Sequence, residues 1–214
     1  NPGNDENWLE IWNDVFMQYN KTLENKFEPL TQKNVDTGMG LERTLKVVNE
    51  LADVYQIDTL WPLIQKIEEV SGREYIEDYS VTVAMRVAAD HIRAAVMIMG
   101  DDKGVAPSNV DQGYIVRRLI RRSVRQGHVL GIKENFCSKI AEQVIEIFKD
   151  VYPEVSKNKE FVITEIAKEE SKFRNTLERG IKNFEAGVKK LETRQIPADM
   201  AFDLYQSYGF PIEM

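Results

Sequence analysis

The feature that most constrains this chain is a change of hydrophobic period near Gly40. Residues 8–19 alternate, with Leu9, Ile11, Val15, Met17 and Tyr19 on one apolar face that only Asn13 breaks. Period-two alternation sustained over such a length predicts a long strand. Taken alone, Asn13 reads as a polar residue at a bulge or edge. Lys21 to Lys33 reads as a connection, and Val35–Met39 as a second strand whose other face carries Asn34, Asp36 and Gly38. From Leu41 onward apolar residues recur three and four apart, which predicts helices. The fold class that follows is mostly α with an N-terminal α+β remnant, divided as residues 1–52 and 53–214.

The helical part can be placed from its stop and start signals. A first helix carries Leu41, Leu45, Val48 and Ala52 on one side, packed against something. A second has Asp58 or Thr59 to cap it, Pro62 in its first turn and Gly72 as its stop. Ser80 to Met99 is apolar on most sides, so it is expected to be central and buried. His91 within it reads as a hydrogen-bonded structural histidine. Gly100 to Gln112 is a polar loop, followed by a helix with Tyr114, Leu119, Ile120 and Val124 inward. Ser138 is expected to cap a helix ending near Pro153. Lys159 to Arg194 is the longest predicted helix, with a narrow seam of Phe173, Leu177, Ile181, Phe184, Val188 and Leu191 suited to packing within the chain. Pro197 opens a last helix that stops at Gly209.

Charge narrows the function. The 214 residues carry a net charge of −7, which argues mildly against nucleic acid. Its distribution argues the other way: no acidic residue lies between Gly113 and Ile132, where Arg117, Arg118, Arg121, Arg122 and Arg125 fall. Like charges four apart on a helix repel and call for an anion from outside. A solvated face paired with acids elsewhere is the alternative. A single cysteine, Cys137, excludes an internal disulfide and points to a reducing compartment. No apolar run is long enough to span a bilayer. The chain starts Asn1-Pro-Gly without methionine, as an excised piece of a longer protein would.

The junction between strand and helix carries the sharpest signal. In Val35-Asp-Thr-Gly-Met-Gly-Leu-Glu-Arg43 two glycines let a flat or anionic ligand approach the backbone. Arg43 stands in a first helical turn, where a cation gains nothing from the helix dipole; its partner is an anion such as phosphate or, alternatively, the neighbouring Glu42.

This run resembles the third signature motif of the class II aminoacyl-tRNA synthetases, in the form found in alanyl-tRNA synthetases. Glu10-Ile-Trp-Asn-Asp-Val-Phe-Met-Gln-Tyr-Asn20, Ala89-Asp-His-Ile-Arg93, Pro107-Ser-Asn109, Gly113-Tyr114 before Arg117-Arg-Leu-Ile-Arg-Arg122, and Leu204-Tyr-Gln-Ser-Tyr-Gly-Phe-Pro211 resemble the same family in the same order. The resemblance spans nearly the whole chain.

It implies the last strands of a synthetase's antiparallel sheet followed by a helical tRNA-recognition domain. It further implies activation of alanine with ATP and Mg2+ and transfer of the alanyl group to tRNA(Ala) in the cytoplasm. Carried over by motif, Asp36 would hold the alanine ammonium, while Asn13 and Val15 line a small side-chain pocket that Gly38 keeps open. Gly40 would admit ATP, and Arg43 would be the catalytic arginine that neutralises its terminal phosphates. Asn109 and Gln206 would read a G·U pair in the acceptor stem, although the family pattern has Asp where Gln206 stands. Arg117, Arg118, Arg121 and Arg122 would grip the stem. The family's first two motifs and its editing region are not found in this sequence, so the isolated chain is expected to be inactive and to bind no cofactor. The rival readings are a non-catalytic helical RNA-binding module and a helical scaffold.

Overall fold

In a computed structural model the described residues are 8–189, 191 and 195–208, with side chains described to Tyr205. The chain forms two compact units, residues 1–61 and 62–214.

In the first unit, β1 (Trp12–Lys21) and β2 (Phe27–Met39) form an antiparallel hairpin. The stretch expected to be a connection is largely strand: β2 begins at Phe27, and the turn is confined to residues 22–26. That turn closes through the Thr22 N–H to the Lys26 carbonyl (2.9 Å), with Asn25 in the left-handed region at φ 62°. Asn tolerates that conformation better than most residues, so no longer loop is needed. Pro29 hid the strand from a propensity reading, yet on a two-stranded ladder a residue without an N–H is tolerated at an edge. The register shift falls between Met17 and Tyr19, away from Asn13, which pairs regularly with Gly38. After Gly40 comes α1 (Leu41–Val48). It stops before Ala52, since Asn49 is its C-cap and Glu50 turns left-handed at φ 52°. None of its residues is buried, so its apolar face is not packed as the periodicity predicts. A short 3-10 turn, Val54–Gln56, is held by a reciprocal Asp53–Gln56 capping box.

The second unit is helical: α2 (Trp61–Ser71), α3 (Tyr79–Gly100), α4 (Asp111–Val129), α5 (Cys137–Phe148), α6 (Pro153–Lys157), α7 (Lys159–Val188) and α8 (Ala198–Tyr208). The Asp78 carboxylate accepts the Val81 N–H at 2.8 Å and starts α3. Gly72, at φ 69°, ends α2 in the way a left-handed C-terminal glycine does. α3 is the central element, as its composition predicts. Val81, Ala84, Met85, Ala88, Ala89, Ile92, Ala95, Val96 and Met99 are all buried, and α4, α5, α6 and α7 pack around it. Each fully enclosed Ile, Val or Met contributes about 1.5–3 kcal/mol. Asn158 then donates its side-chain amide to the carbonyls of Gly100 (3.0 Å) and Asp101 (3.3 Å), covering the C-terminal end of α3.

Three expectations change here. Ile120 and Val124 are buried on α4 as expected, but Tyr114 points outward and Leu119 is only half-buried, while Gly113, Val116, Ser123 and Gly127 join the buried face. Ser138 does not cap α5; its hydroxyl is buried with no hydrogen-bond partner among the described residues. The cap comes from Glu170, far along the chain, whose two oxygens accept the Phe136 and Cys137 N–H groups at 3.0 Å each. Third, α7 ends at Val188 within the described residues, and its buried seam reaches back to Val162 and Ile166. Val188 itself is exposed. Residues 192–194, the end of the predicted long helix, and Gly209, the predicted stop of the last one, lie outside the described residues.

Candidate functional site

In an antiparallel pair, residues directly opposite one another project to the same side, and so do residues two apart. The register sets Asn13 opposite Gly38 and Val15 opposite Asp36. These four candidate alanine-site residues therefore form one contiguous patch on one face of the hairpin, and Met17 opposite Asn34 continues it. All four are solvent-exposed. A Cβ added at Gly38 would stand 3.4 Å from the Asn13 side-chain oxygen. Glycine thus leaves an open notch beside an amide, flanked by a carboxylate and a branched apolar wall.

The strand-to-helix junction is tied back to the start of β1. The Gly40 N–H donates to the Ile11 carbonyl at 2.9 Å, and Arg43 Nη1 donates to the Glu10 carbonyl at 3.0 Å. That bond fixes one edge of the guanidinium and leaves other N–H groups of its fork to meet an anion. The room Gly40 leaves is taken by the methylenes of Arg43, which an added Cβ would meet at 3.3 Å. Glycine at 40 therefore sets where Arg43 lies. Among the described residues no cluster of three or more His, Cys, Asp or Glu side chains could hold a metal ion, so no residue is assigned to Mg2+.

In the helical unit, Asn109 is exposed at the apex of the loop before α4. The loop is clamped to the helix it precedes. The Ser108 N–H donates to the Gly113 carbonyl at 2.9 Å, and the Ser108 hydroxyl meets the Val110 backbone at 2.9 and 3.2 Å. Gly113 is required for this approach, because an added Cβ would lie 2.3 Å from Ser108 Oγ and 2.6 Å from the Ala106 carbonyl. Gln206 lies in the last turn of α8; its side chain is outside the described residues.

The five arginines of α4 are not equivalent. Arg117 Nε (3.2 Å) and Arg121 Nε (2.6 Å) both donate to Glu169 Oε1, and the Arg121 guanidinium lies 4.9 Å from the centre of the Phe173 ring. Arg118 and Arg122 are exposed, with no acidic partner among the described residues. Arg118 rests over the Tyr114 ring at 5.8 Å. His91 is half-buried, and its Nε2 has no hydrogen-bond partner among the described residues, unlike the bonded histidine expected. Burial first, and then the Arg122 charge, lower its pKa below the ordinary histidine value, against a smaller opposing pull from Asp90.

Glu169 and Glu170 are the residues that sequence reasoning missed. A signal was present: they stand three and four residues after Ile166 and before Phe173, on the buried seam of α7. Acids on a seam require cations or free N–H groups opposite. Glu170 meets both, since Arg174 Nε also donates to it at 3.3 Å. The buried Cys137 beside it is pushed well above the usual thiol range by burial and then by the Glu170 carboxylate, which makes it a poor nucleophile. No helix among the described residues is long and apolar enough to cross a membrane.

The family described as tRNA synthetases class II (A) matches residues 1–214. An alanine–tRNA ligase of Borreliella afzelii is 44% identical over 207 residues, which is 97% of this chain and 35% of the relative. One from Treponema pallidum is 44% identical over 210 residues, again 97% of this chain and 35% of the relative. A third, from Psychromonas ingrahamii, is 43% identical over 98% of this chain and 23% of the relative. The chain therefore spans roughly a third or less of the length of these relatives.

Proposed function

We propose, given that this chain belongs to the class II tRNA synthetase family, that it is part of an alanine–tRNA ligase and supplies the amino-acid notch, one phosphate-binding arginine and a tRNA acceptor-stem surface. A cytoplasmic setting belongs to the same reading. The observation that carries it is the cross-strand register, which gathers Asn13, Val15, Asp36 and Gly38 on one face.

The chemistry follows from what each side chain can do. Asp36 pairs with the ammonium of alanine by a charge-assisted hydrogen bond, about 1.5–3 kcal/mol. The Asn13 amide orients the amino acid, and Val15 with the missing side chain of Gly38 makes room for a methyl group. So held, the alanine carboxylate attacks the α-phosphate of ATP. Pyrophosphate departs and alanyl-adenylate remains. Arg43 offsets negative charge on the departing phosphates, an electrostatic contribution from a group fixed beforehand by its bond to Glu10. The terminal hydroxyl of tRNA then attacks the alanyl carbonyl and releases AMP. Binding of the tRNA stem falls to α4 and to Asn109, which the Ser108–Gly113 clamp presents at the surface. A wide RNA minor groove admits such short polar side chains. Gln206, with a carbonyl that can accept from a guanine amine, is the proposed second reader.

The test is alanine-dependent ATP–pyrophosphate exchange by a ligase carrying this sequence. Asp36→Asn keeps the shape and removes the charge; KM for alanine is expected to rise at least tenfold, the equivalent of about 1.4 kcal/mol, with KM for ATP unchanged. An unaltered KM for alanine would remove Asp36 from the ammonium site.

A further inference from the structure

α4 carries two lines of residues spaced four apart, and their environments differ. One is Arg117 and Arg121. Their side chains are 17% and 23% exposed, and both are spent on Glu169, itself 10% exposed. For either to follow a phosphate, it would have to leave a mostly buried carboxylate short of a cation, which is costly. The Phe173 ring under Arg121 adds a second tie. The other line is Tyr114, Arg118 and Arg122. Tyr114 is 45% exposed, and the two arginines are exposed without an acid partner among the described residues. Arg118 is already ordered over the Tyr114 ring.

Resting on the RNA-stem reading above, we infer that Tyr114, Arg118 and Arg122 form the line that contacts a ribose–phosphate strand of duplex RNA, and that Glu169 withholds Arg117 and Arg121 from it as helix-positioning residues. Four residues of α-helix rise about 6 Å, so the line presents an aromatic face and two guanidinium groups at regular intervals. Successive cations four apart repel one another until an anion arrives, so the exposed pair gains most from phosphate. In duplex RNA the bases are stacked inside, which leaves sugars and phosphates as the surface a Tyr ring and two forks can meet. The Ser108–Gly113 clamp sets Asn109 just before the first turn of the same helix, so a stem lying along this line would also pass the exposed amide. Glu169 tunes the footprint: one carboxylate neutralises one of two guanidinium charges and fixes both in place.

The measurement is binding of an acceptor-stem RNA hairpin to the chain across a salt series. Arg118→Ala and Arg122→Ala should each flatten the log–log slope by about 0.7–0.9, the effect of one lost phosphate contact. Tyr114→Ala should weaken binding several-fold at unchanged slope, and Tyr114→Phe should restore it. Arg117→Ala, which leaves Arg121 on Glu169, should leave the slope as it is, and Glu169→Gln should steepen it by releasing a guanidinium group. Far-ultraviolet dichroism and urea midpoints confirm the fold of each variant. If Arg117→Ala and Arg118→Ala change the slope equally, or Glu169→Gln leaves it unmoved, the division into two lines is overturned. If the unsubstituted chain binds the hairpin with no salt dependence, the RNA-stem reading itself fails instead.

Discussion

The hairpin and the helical unit spend similar residues in opposite ways. Phe16 is 78% exposed on β1, and Trp12, Val35 and Met39 are exposed on the same side of the ladder. In α3 the apolar positions are closed off from solvent, Ile92, Val96 and Met99 among them. Two strands make one layer, and a single layer covers neither of its faces. Helices of matched periodicity supply one another's second layer, so the helical unit closes its own core. The lesson is that an apolar pattern states where burial can occur, while the number of layers decides whether it does.

Glu170 gives the strongest way to break this contrast. It is fully buried and joins α7 to the start of α5 through two backbone N–H groups and Arg174. Glu170→Ala should lower the unfolding free energy of the helical unit by about 3–5 kcal/mol, because charged and polar partners are left unpaired in the core. A lowered urea midpoint with unchanged denaturant dependence would bear this out; a midpoint near that of the parent chain would show that the helices hold together without this tie.

His91 sharpens the comparison through pH. Its folded pKa lies below the ordinary value near 6.5, chiefly because of burial. The unfolded chain therefore binds a proton more readily, and stability should fall as pH drops below about 6.5. The loss levels off once pH is below the folded pKa. The chain holds two histidines, so His128→Gln leaves one imidazole to follow by NMR. It should titrate below the free value, and His91→Gln should flatten the acid side of the stability profile. A His91 titration at or above the free value would refute this.

The smallest effect is expected on the hairpin. Phe16→Ser should change the urea midpoint of the helical unit by less than the equivalent of about 0.5 kcal/mol, as exposed positions generally do. A larger drop would mean that the hairpin's exposed face contributes to helical stability.

Much of the fold was legible because its signals are local. The period change at Gly40, the Gly72 stop and the buried α3 all follow from neighbouring residues. The limits of β2 were not, since Pro29 and Lys33 read as loop until Asn25 shows how tight the turn is. Asn13, Val15, Asp36 and Gly38 could be named from sequence motifs, and only strand pairing shows that they share a face.

By itself the sequence determined the family, the order of strands and helices, and the presence of a stretch from Gly113 to Ile132 that holds five arginines and no acid. The tertiary structure alone decided which cations remain available. Arg117 and Arg121, which bind Glu169, and the Phe136 and Cys137 N–H groups, which bind Glu170, stand between 33 and 52 residues from those carboxylates. Helical periodicity records which face of a segment is apolar, but it carries no information about which distant segment will lie opposite. Two adjacent glutamates on the α7 seam therefore read as irregularities until the packing of α7 on α4 and α5 makes one the partner of two arginines and the other the cap of a helix.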